Sequence, residues 1–493
     1  MWREILSTVA QVWLWIWHHI FYINIFFSVL VVFFQRKDPK SIWSWLLVLN
    51  CIPVVGFLLY LIIGWDLYKS KMFKLKEIED TLNAAIGKQE EILKRKELQI
   101  GDAKLSGYED LIMYNLRSGG AVYSEDNEVE IYTDGHEKFS ALMEEIKKAK
   151  SYIHLQYYII KPDELFLEME KELAKKASEG VEVRILCDSL GCRNMRRKDW
   201  KRLKDEGIQT AIFFPIGFWK YRFRINYRNH RKIAVIDGKA GFVGGFNIGR
   251  EYLGMDEYFG YWRDTHLKIK GSAVRDLQLR FVLDWNYAAR ENLFQNGKYF
   301  SIEEPEPQAM DKCGIQIITS GPDSRGHSVK NNYIRMIHKA KERVYIQTPY
   351  FVPDEAYLNA IKIAARSGID VRLMIPCKPD HPFIYWASYS YMEELIAAGV
   401  KCYIYDNGFL HAKGMMVDGL VSCYGTANMD IRSFHLNFEV NATIYSREVT
   451  EKLEKAFLQD LEACTRITPT LYAKRSLWIR IKEQVSRMLS PLL

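Results

Sequence analysis

Two stretches of the chain, NHRKIAVIDG and LHAKGMMVDG, place a histidine, a lysine two residues on and an aspartate five residues after that at the same spacing. They supply His230, Lys232 and Asp237, and again His411, Lys413 and Asp418. The match continues downstream, where Gly244, Gly245 and Asn247 follow the first set and Gly425, Thr426 and Asn428 the second, with every separation preserved. One such triplet arises readily by chance, as surface positions on a strand. Two copies with a glycine and an asparagine at identical offsets are a repeated unit.

Residues two apart on a strand point to one face, so each histidine and its lysine are expected to project together. Two such strands related by a pseudo-twofold axis would give a pocket with two imidazoles, two ammonium groups and two carboxamides. No carboxylate cluster and no His or Cys ligand set accompanies them, so neither a metal nor another cofactor is expected. Fixed cations and amide donors suit a phosphodiester, whose non-bridging oxygens carry the charge that the transition state redistributes. One imidazole can attack phosphorus while the other, protonated, gives its proton to the departing alcohol. The glycine run GFVGGFNIG lacks G-x-G-x-x-G spacing, which argues against a dinucleotide site.

The elements that must position these residues are duplicated too. IKKAKSYIHLQYY at Ile146 resembles IHKAKERVYIQTPY at Ile337, GVEVRILCD at Gly180 resembles GIDVRLMIP at Gly368, and GIQTAIFF at Gly207 resembles GVKCYIYD at Gly399. Strand-length apolar runs alternate with helical patterns such as ELFLEMEKELAKKASEG, so each half is expected to be an α/β layer with a sheet covered by helices. The period is too long for a solenoid and indicates domain duplication. The longer connection from Pro215 to His230, against Asp406 to His411, is expected to serve binding.

The 493 residues allow two or three domains. The 48% hydrophobic content is concentrated at the front: Ile5 to Phe34 and Ile42 to Trp65 contain no Asp, Glu, Lys or Arg. About 20 apolar residues cross a bilayer, and neither run shows a polar stripe, so a transmembrane helical hairpin is expected in preference to two buried helices. His18 and His19 are read as interface residues with no function. Basic flanks outside the hairpin weakly favour a cytoplasmic body, and eight scattered cysteines fit reduced thiols. The net charge of +7 is modest for a nucleic-acid binder. Basic residues instead cluster with aromatics from Phe218 to Lys232 and in the C-terminal AKRSLWIRIKEQVSRMLSPLL, a combination suited to an anionic membrane surface. In that tail Leu477, Trp478, Ile481, Val485, Met488 and Leu489 recur at helical spacing, as either a core-closing helix or one lying in the headgroup region. The stretch from about Lys71 to Leu116 reads as a solvated helical connector.

The doubled H-x-K-x-x-x-x-D followed by G-x-x-N is similar to the HKD motif of the phospholipase D superfamily. NHRKIAVIDGKAGFVGGFNIG, LHAKGMMVDGLVSCYGTANMDIRSFHLNFE, the hairpin and the terminal SPLL narrow the resemblance to its bacterial cardiolipin synthase family over nearly the whole chain. The resemblance implies two pseudo-twofold related phospholipase D-like α/β domains, mixed sheets flanked by helices, after the hairpin. The expected divisions are 1–70 for the hairpin, 71–118 for the connector, and 119–300 and 301–493 for the two domains. It further implies that the chain joins two phosphatidylglycerols into cardiolipin with release of glycerol, through a covalent phosphatidyl-histidine. A membrane-anchored hydrolase of the same fold is the alternative, and the anchor argues against a nuclease. By the same resemblance His230 is the nucleophile, His411 the general acid and base, and Lys232, Asn247, Lys413 and Asn428 hold the phosphoryl oxygens. Asp237 and Asp418 belong to the motif but are expected to be structural, while Asp264 and Glu439 orient the imidazoles. Where the family motif often has serine after the first glycine, this chain has Gly245 and Thr426.

Overall fold

A computed structural model of the chain describes residues 103–215, 227–295, 297–300, 313–323 and 326–490, together with 39–52, 86–95 and scattered positions nearer the N-terminus. Much of both apolar runs lies outside the described residues, as do residues 216–226 of the basic-aromatic stretch. Part of the second run forms the helix α1 (Pro39–Cys51). Among the described residues no helix is long and apolar enough to cross a membrane.

The connector's end is not solvated. Leu111, Ile112, Asn115 and Leu116 fall on one face of α2 (Glu109–Gly119) and are buried. Asn115 Nδ2 lies within hydrogen-bond distance of Gln316 Oε1 (3.1 Å) and Asn332 Oδ1 (2.9 Å), so this helix docks on the second half before the first half begins. The charged run that precedes it hid a short apolar stripe of ordinary helical spacing.

The first half contains β1 (Tyr123–Tyr132), α3 (Gly135–Lys148), β2 (Tyr152–Tyr157), α4 (Glu164–Ser178), β3 (Glu182–Asp188), β4 (Gln209–Phe213), β5 (Ile233–Ile236), β6 (Ala240–Gly244), β7 (His266–Lys270) and α5 (Ala273–Ala289). The second contains β8 (Cys313–Ser320), α6 (Ser328–Lys339), β9 (Arg343–Gln347), α7 (Glu355–Arg366), β10 (Asp370–Pro376), α8 (Pro382–Ser390), β11 (Lys401–Tyr405), β12 (Gly414–Val417), β13 (Val421–Gly425), β14 (Asn437–Tyr445), α9 (Arg447–Leu461), β15 (Cys464–Ile467) and α10 (Leu477–Leu489). Helices cross between the parallel strands β2, β3 and β4, and between β9, β10 and β11, while tight turns join the antiparallel neighbours β5–β6 and β12–β13.

The strands form one sheet in the order β15-β11-β10-β9-β12-β13-β14-β8-β1-β7-β6-β5-β2-β3-β4. Read outward from its middle, β1-β7-β6-β5-β2-β3-β4 repeats as β8-β14-β13-β12-β9-β10-β11. The join is the antiparallel β1–β8 pair, with Tyr123 opposite Gln316 and a bulge between Ser124 and Asn127. Registers repeat as well: Gln156 faces Ile233 as Gln347 faces Gly414, and Gly244 faces His266 as Gly425 faces Asn441. Strands such as IAVI and GMMV are buried on both faces, as expected of a sheet covered on both sides. Besides a core in each half, a shared core brings Phe281 and Trp285 of the first half together with Phe438, Val440 and Phe457 of the second.

Asp237 and Asp418 sit at the turns that end β5 and β12, each in the left-handed region (φ 53° and 54°) that Asp tolerates better than most side chains. The Asp237 carboxylate accepts from the backbone N–H groups of Lys150, Ser151 and Tyr152 at 2.7–2.8 Å. Asp418 accepts in the same way from Lys341, Glu342 and Arg343 at 2.7–2.9 Å. Each ties the end of the motif strand to the start of its neighbour. Asp237→Ala therefore lowers stability by about 1–3 kcal/mol, since three donors lose their acceptor and Ala strains the positive φ, whereas Asp237→Asn loses less. Thermal melting of the two variants checks the order.

Candidate active site at the junction of the two halves

The two histidines enter one cavity because each half reaches into the other. Arg228–Asn229 pairs in parallel with Asn437–Phe438, and His230 N–H donates to Phe438 O at 2.9 Å. Phe409–Leu410 likewise pairs with Trp262–Arg263, and His411 N–H donates to Arg263 O at 2.7 Å. These crossings set each imidazole against a carboxylate of the opposite half. His230 Nδ1 lies 3.0 Å from both oxygens of Glu439, and His411 Nδ1 lies 2.6 Å from Asp264 Oδ2. A carboxylate only accepts, so each Nδ1 carries its proton and each neutral ring keeps its Nε2 lone pair.

His230, His411, Asn247 and Asn428 all line a cavity of about 210 Å³. Lys232 and Lys413 do not. Both are buried beside it, with Lys232 Nζ donating to His230 O at 2.7 Å and Lys413 Nζ to His411 O. The two-residue strand spacing does not hold here, because His230 to Lys232 and His411 to Lys413 are the extended approaches to β5 and β12 and precede the strands. Asn247 is fixed by Ile159 N–H (3.1 Å to Oδ1) and by the Tyr252 hydroxyl (3.1 Å from Nδ2). Asn428 Oδ1 is buried with no hydrogen-bond partner among the described residues.

Gly245 and Thr426, equivalent in sequence, differ for a reason. The Thr426 hydroxyl donates to Glu439 Oε2 at 2.6 Å and helps to hold it under His230. In the first half that space is filled by Asp264 itself: a Cβ on Gly245 would lie 2.0 Å from Asp264 Oδ1. The shorter acid stands closer to the chain, and only glycine leaves room.

Burial above all pushes both imidazoles down to about 4; for His230 the Glu439 charge offsets it and Lys232 adds to it, and for His411 Lys413 adds to it against Asp264. Burial also takes Lys413 down to about 8 and Lys232 well below the ordinary lysine range. For Glu439 and Asp264, burial works upward, but the neighbouring histidine and lysine overcome it and hold both carboxyls below their usual values. Two neutral imidazoles thus stand among two buried carboxylates and two buried lysines whose hold on a proton burial has weakened.

Sequence reasoning missed much of the wall. Arg228 and Arg432 line the cavity, as do Tyr252, Tyr350, Asp380 and Asp430, and Asp380 accepts from the Tyr350 hydroxyl. Arg228 and Arg231, grouped with the basic-aromatic surface cluster, are inside the protein instead: Arg228 faces Asp188 at 3.6 Å, and Arg231 donates to both oxygens of Asp284 at 2.6 Å. Buried guanidinium groups need such partners, which lie about 40 to 50 residues away in sequence. Asp430 and Arg432 stood within the quoted NMDIRSFHLNFE and Arg228 within the basic-aromatic cluster, so these three carried a signal that was read only as family resemblance or surface charge.

A family profile described as "Cardiolipin synthase, PLD-like domain" matches residues 142–266 and again 333–461, and one described as "Phospholipase_D-nuclease N-terminal" matches 23–65. The chain is 48% identical over 473 residues to the cardiolipin synthase of Listeria monocytogenes serotype 4b (strain CLIP80459), covering 96% of this chain and 97% of that protein. It is 47% identical over 474 residues to the cardiolipin synthase of Oceanobacillus iheyensis, with 96% and 98% covered. Among solved structures, the phosphatidylserine synthase of Haemophilus influenzae Rd KW20 aligns with a TM-score of 0.60 at 15% identity, over 77% of this chain and 99% of that one, a likeness of fold.

Gly245→Ala forces Asp264 and, through it, His411 out of place, so kcat falls on the order of 100-fold while Thr426→Val loses less. Steady-state rates of the two variants measure this. Between about pH 6.5 and 4 the unfolded chain binds protons that the folded imidazoles refuse, so stability falls as pH drops through that window. Replacing either histidine with glutamine flattens the slope in melting curves recorded across that range.

Proposed function

The chain belongs to the cardiolipin synthase family of the phospholipase D superfamily, and from that premise we propose that the paired histidines transfer a phosphatidyl group from one phosphatidylglycerol to another. The observation that carries the reading is the reciprocal pairing, in which each imidazole is oriented by a carboxylate of the other half and both face one cavity. His230 Nε2 attacks the phosphorus of the first lipid. The bond to glycerol breaks, and the glycerol oxygen takes the proton of His411. A glycerol hydroxyl of the second lipid then attacks the phosphatidyl-histidine and passes its proton to His411, so that the P–N bond breaks, cardiolipin forms and both rings return to their starting state.

His411 suits the acid role because its carboxylate is the closer, at 2.6 Å against 3.0 Å, which favours an imidazolium. Bound phosphate adds negative charge that raises the proton affinity of His411, which then enters the reaction with a proton on Nε2 while His230 keeps its Nε2 lone pair. Asn247 and Asn428 supply amides toward the phosphoryl oxygens, and Lys232 and Lys413 act through space as buried positive charge. Arg228 and Arg432 favour an anionic headgroup, and Asp380 with Tyr350 provides an acceptor for glycerol hydroxyls. Membrane attachment through an N-terminal hairpin, with the body on the cytoplasmic side, completes the reading. It is supported by the two uncharged runs and by the N-terminal match at 23–65.

Purified enzyme given phosphatidylglycerol in micelles with EDTA yields cardiolipin and glycerol; phosphatidic acid as the sole product would establish hydrolysis. Brief incubation with labelled lipid and quenching in alkaline detergent, which preserves the acid-labile P–N bond, places the label on His230, and His411→Ala retains a trapped adduct that turns over at least 1,000-fold more slowly. Label found on His411 in the wild type reverses the two roles.

A further inference from the structure

The last helix, α10, is amphipathic in the reverse sense. Its buried side chains are polar, Glu483 and Ser486, with Glu483 bonded to Arg475 and the half-buried Arg487 bonded to Glu394. Its apolar side chains face outward: Leu477 is 73% exposed, Trp478 65% and Met488 50%, with Ile481 and Val485 also exposed. A soluble helix docked on a body buries the opposite face. The helix closes on the body as one expectation had it, but through its polar side: it packs against α8 and leaves a row of large apolar residues uncovered.

Three further observations say what covers that row. The helix touches the apolar N-terminal region, with the Ser44 hydroxyl of α1 donating to Met488 O at 3.3 Å, and on α1 Trp43 is 72% exposed. The exposed Lys482 lies over the rings of Trp386 and Trp478, at 5.2 and 6.0 Å, which puts positive charge at the edge of the apolar face. Directly after the helix, Ser490 lines the catalytic cavity, as does Ile384 of α8. At about 210 Å³ that cavity is below the ~300–1,000 Å³ of pockets that enclose drug-sized ligands, so a diacyl lipid cannot enter whole.

We propose that α10 lies in the headgroup region of an anionic bilayer with its Leu477, Trp478, Ile481, Val485 and Met488 face among the acyl chains, and so holds the cavity mouth in the membrane plane. Headgroups then enter the cavity sideways while the acyl chains stay in the lipid. Such a helix gains from buried apolar area and from its basic edge together. The inference rests on the lipid substrate proposed above, yet the docking itself is separable from catalysis.

Two measurements on the full-length protein test it. In the first, the variant Trp478→Glu/Ile481→Glu/Val485→Glu is assayed on phosphatidylglycerol vesicles and on short-chain phosphatidylglycerol dispersed as monomers. Cardiolipin formation on vesicles is expected to fall at least tenfold, with monomer activity and melting temperature close to those of the wild type. Equal loss on both substrates, or no loss on either, overturns the proposal. In the second, a genetically encoded benzophenone at position 481 is irradiated in vesicles of labelled phosphatidylglycerol, with position 167 on α4 as an exposed control. A lipid adduct at 481 and none at 167 supports docking. A protein–protein adduct at 481 assigns the face to a second copy, and no adduct assigns it to water; either refutes the proposal. An enzyme that makes no cardiolipin in any assay but gives the lipid adduct at 481 refutes the proposed reaction and leaves the docking standing.

Discussion

Neither half of this molecule can orient its own imidazole. Glu439 belongs to β14 of the second half and serves His230 of the first, and Asp264, just ahead of β7 in the first half, serves His411 of the second. The short parallel pairings at 228–229 with 437–438 and at 262–263 with 409–410 exist to carry each histidine across the junction. The continuous sheet, with β1 and β8 bonded at its centre, and the shared apolar core behind it fix the distance between the halves that these bonds need. A proton held on Nδ1 by an opposite-half carboxylate is what makes each ring chemically useful at Nε2, so the fold and the chemistry depend on the same contacts.

The twofold relation is exact enough to repeat strand order and register, but the site it builds is not symmetrical. A glutamate on one side and an aspartate on the other reach from different distances, and the chain adapts with a hydroxyl at Thr426 and a bare backbone at Gly245. The two rings thereby differ in how tightly a carboxylate holds them. Two rings in identical surroundings would compete for one role, whereas a double displacement needs one free base and one proton donor at the same moment.

Much of this was legible in the sequence because duplication writes each signal twice. The His-Lys-Asp spacing and the matched strands needed only comparison of the halves, the placing of Asp264 and Glu439 needed the family resemblance, and a turn aspartate at a strand end is a local feature that can be anticipated. What failed was local reasoning applied to residues whose partners are distant. Arg228 and Arg231 look like surface charge until Asp188 and Asp284 are placed beside them. The lysines look like cavity-lining cations until their ammonium groups are seen to turn back onto backbone carbonyls. The apolar side of α2 was masked by the charged run ahead of it, Tyr350 ends the repeated IHKAKERVYIQTPY with nothing local to mark it as cavity wall, and Asp380 carries no motif at all.

The size of the cavity has a kinetic meaning. A space of about 210 Å³ walled by both histidines holds one headgroup at a time. In the proposed reaction the glycerol that leaves and the hydroxyl that arrives meet the same two histidines, so the two half-reactions share a single berth. The interval in which the second lipid replaces glycerol is then also the one in which water competes for the phosphatidyl-histidine, so the ratio of transfer to hydrolysis reports how quickly that exchange is made.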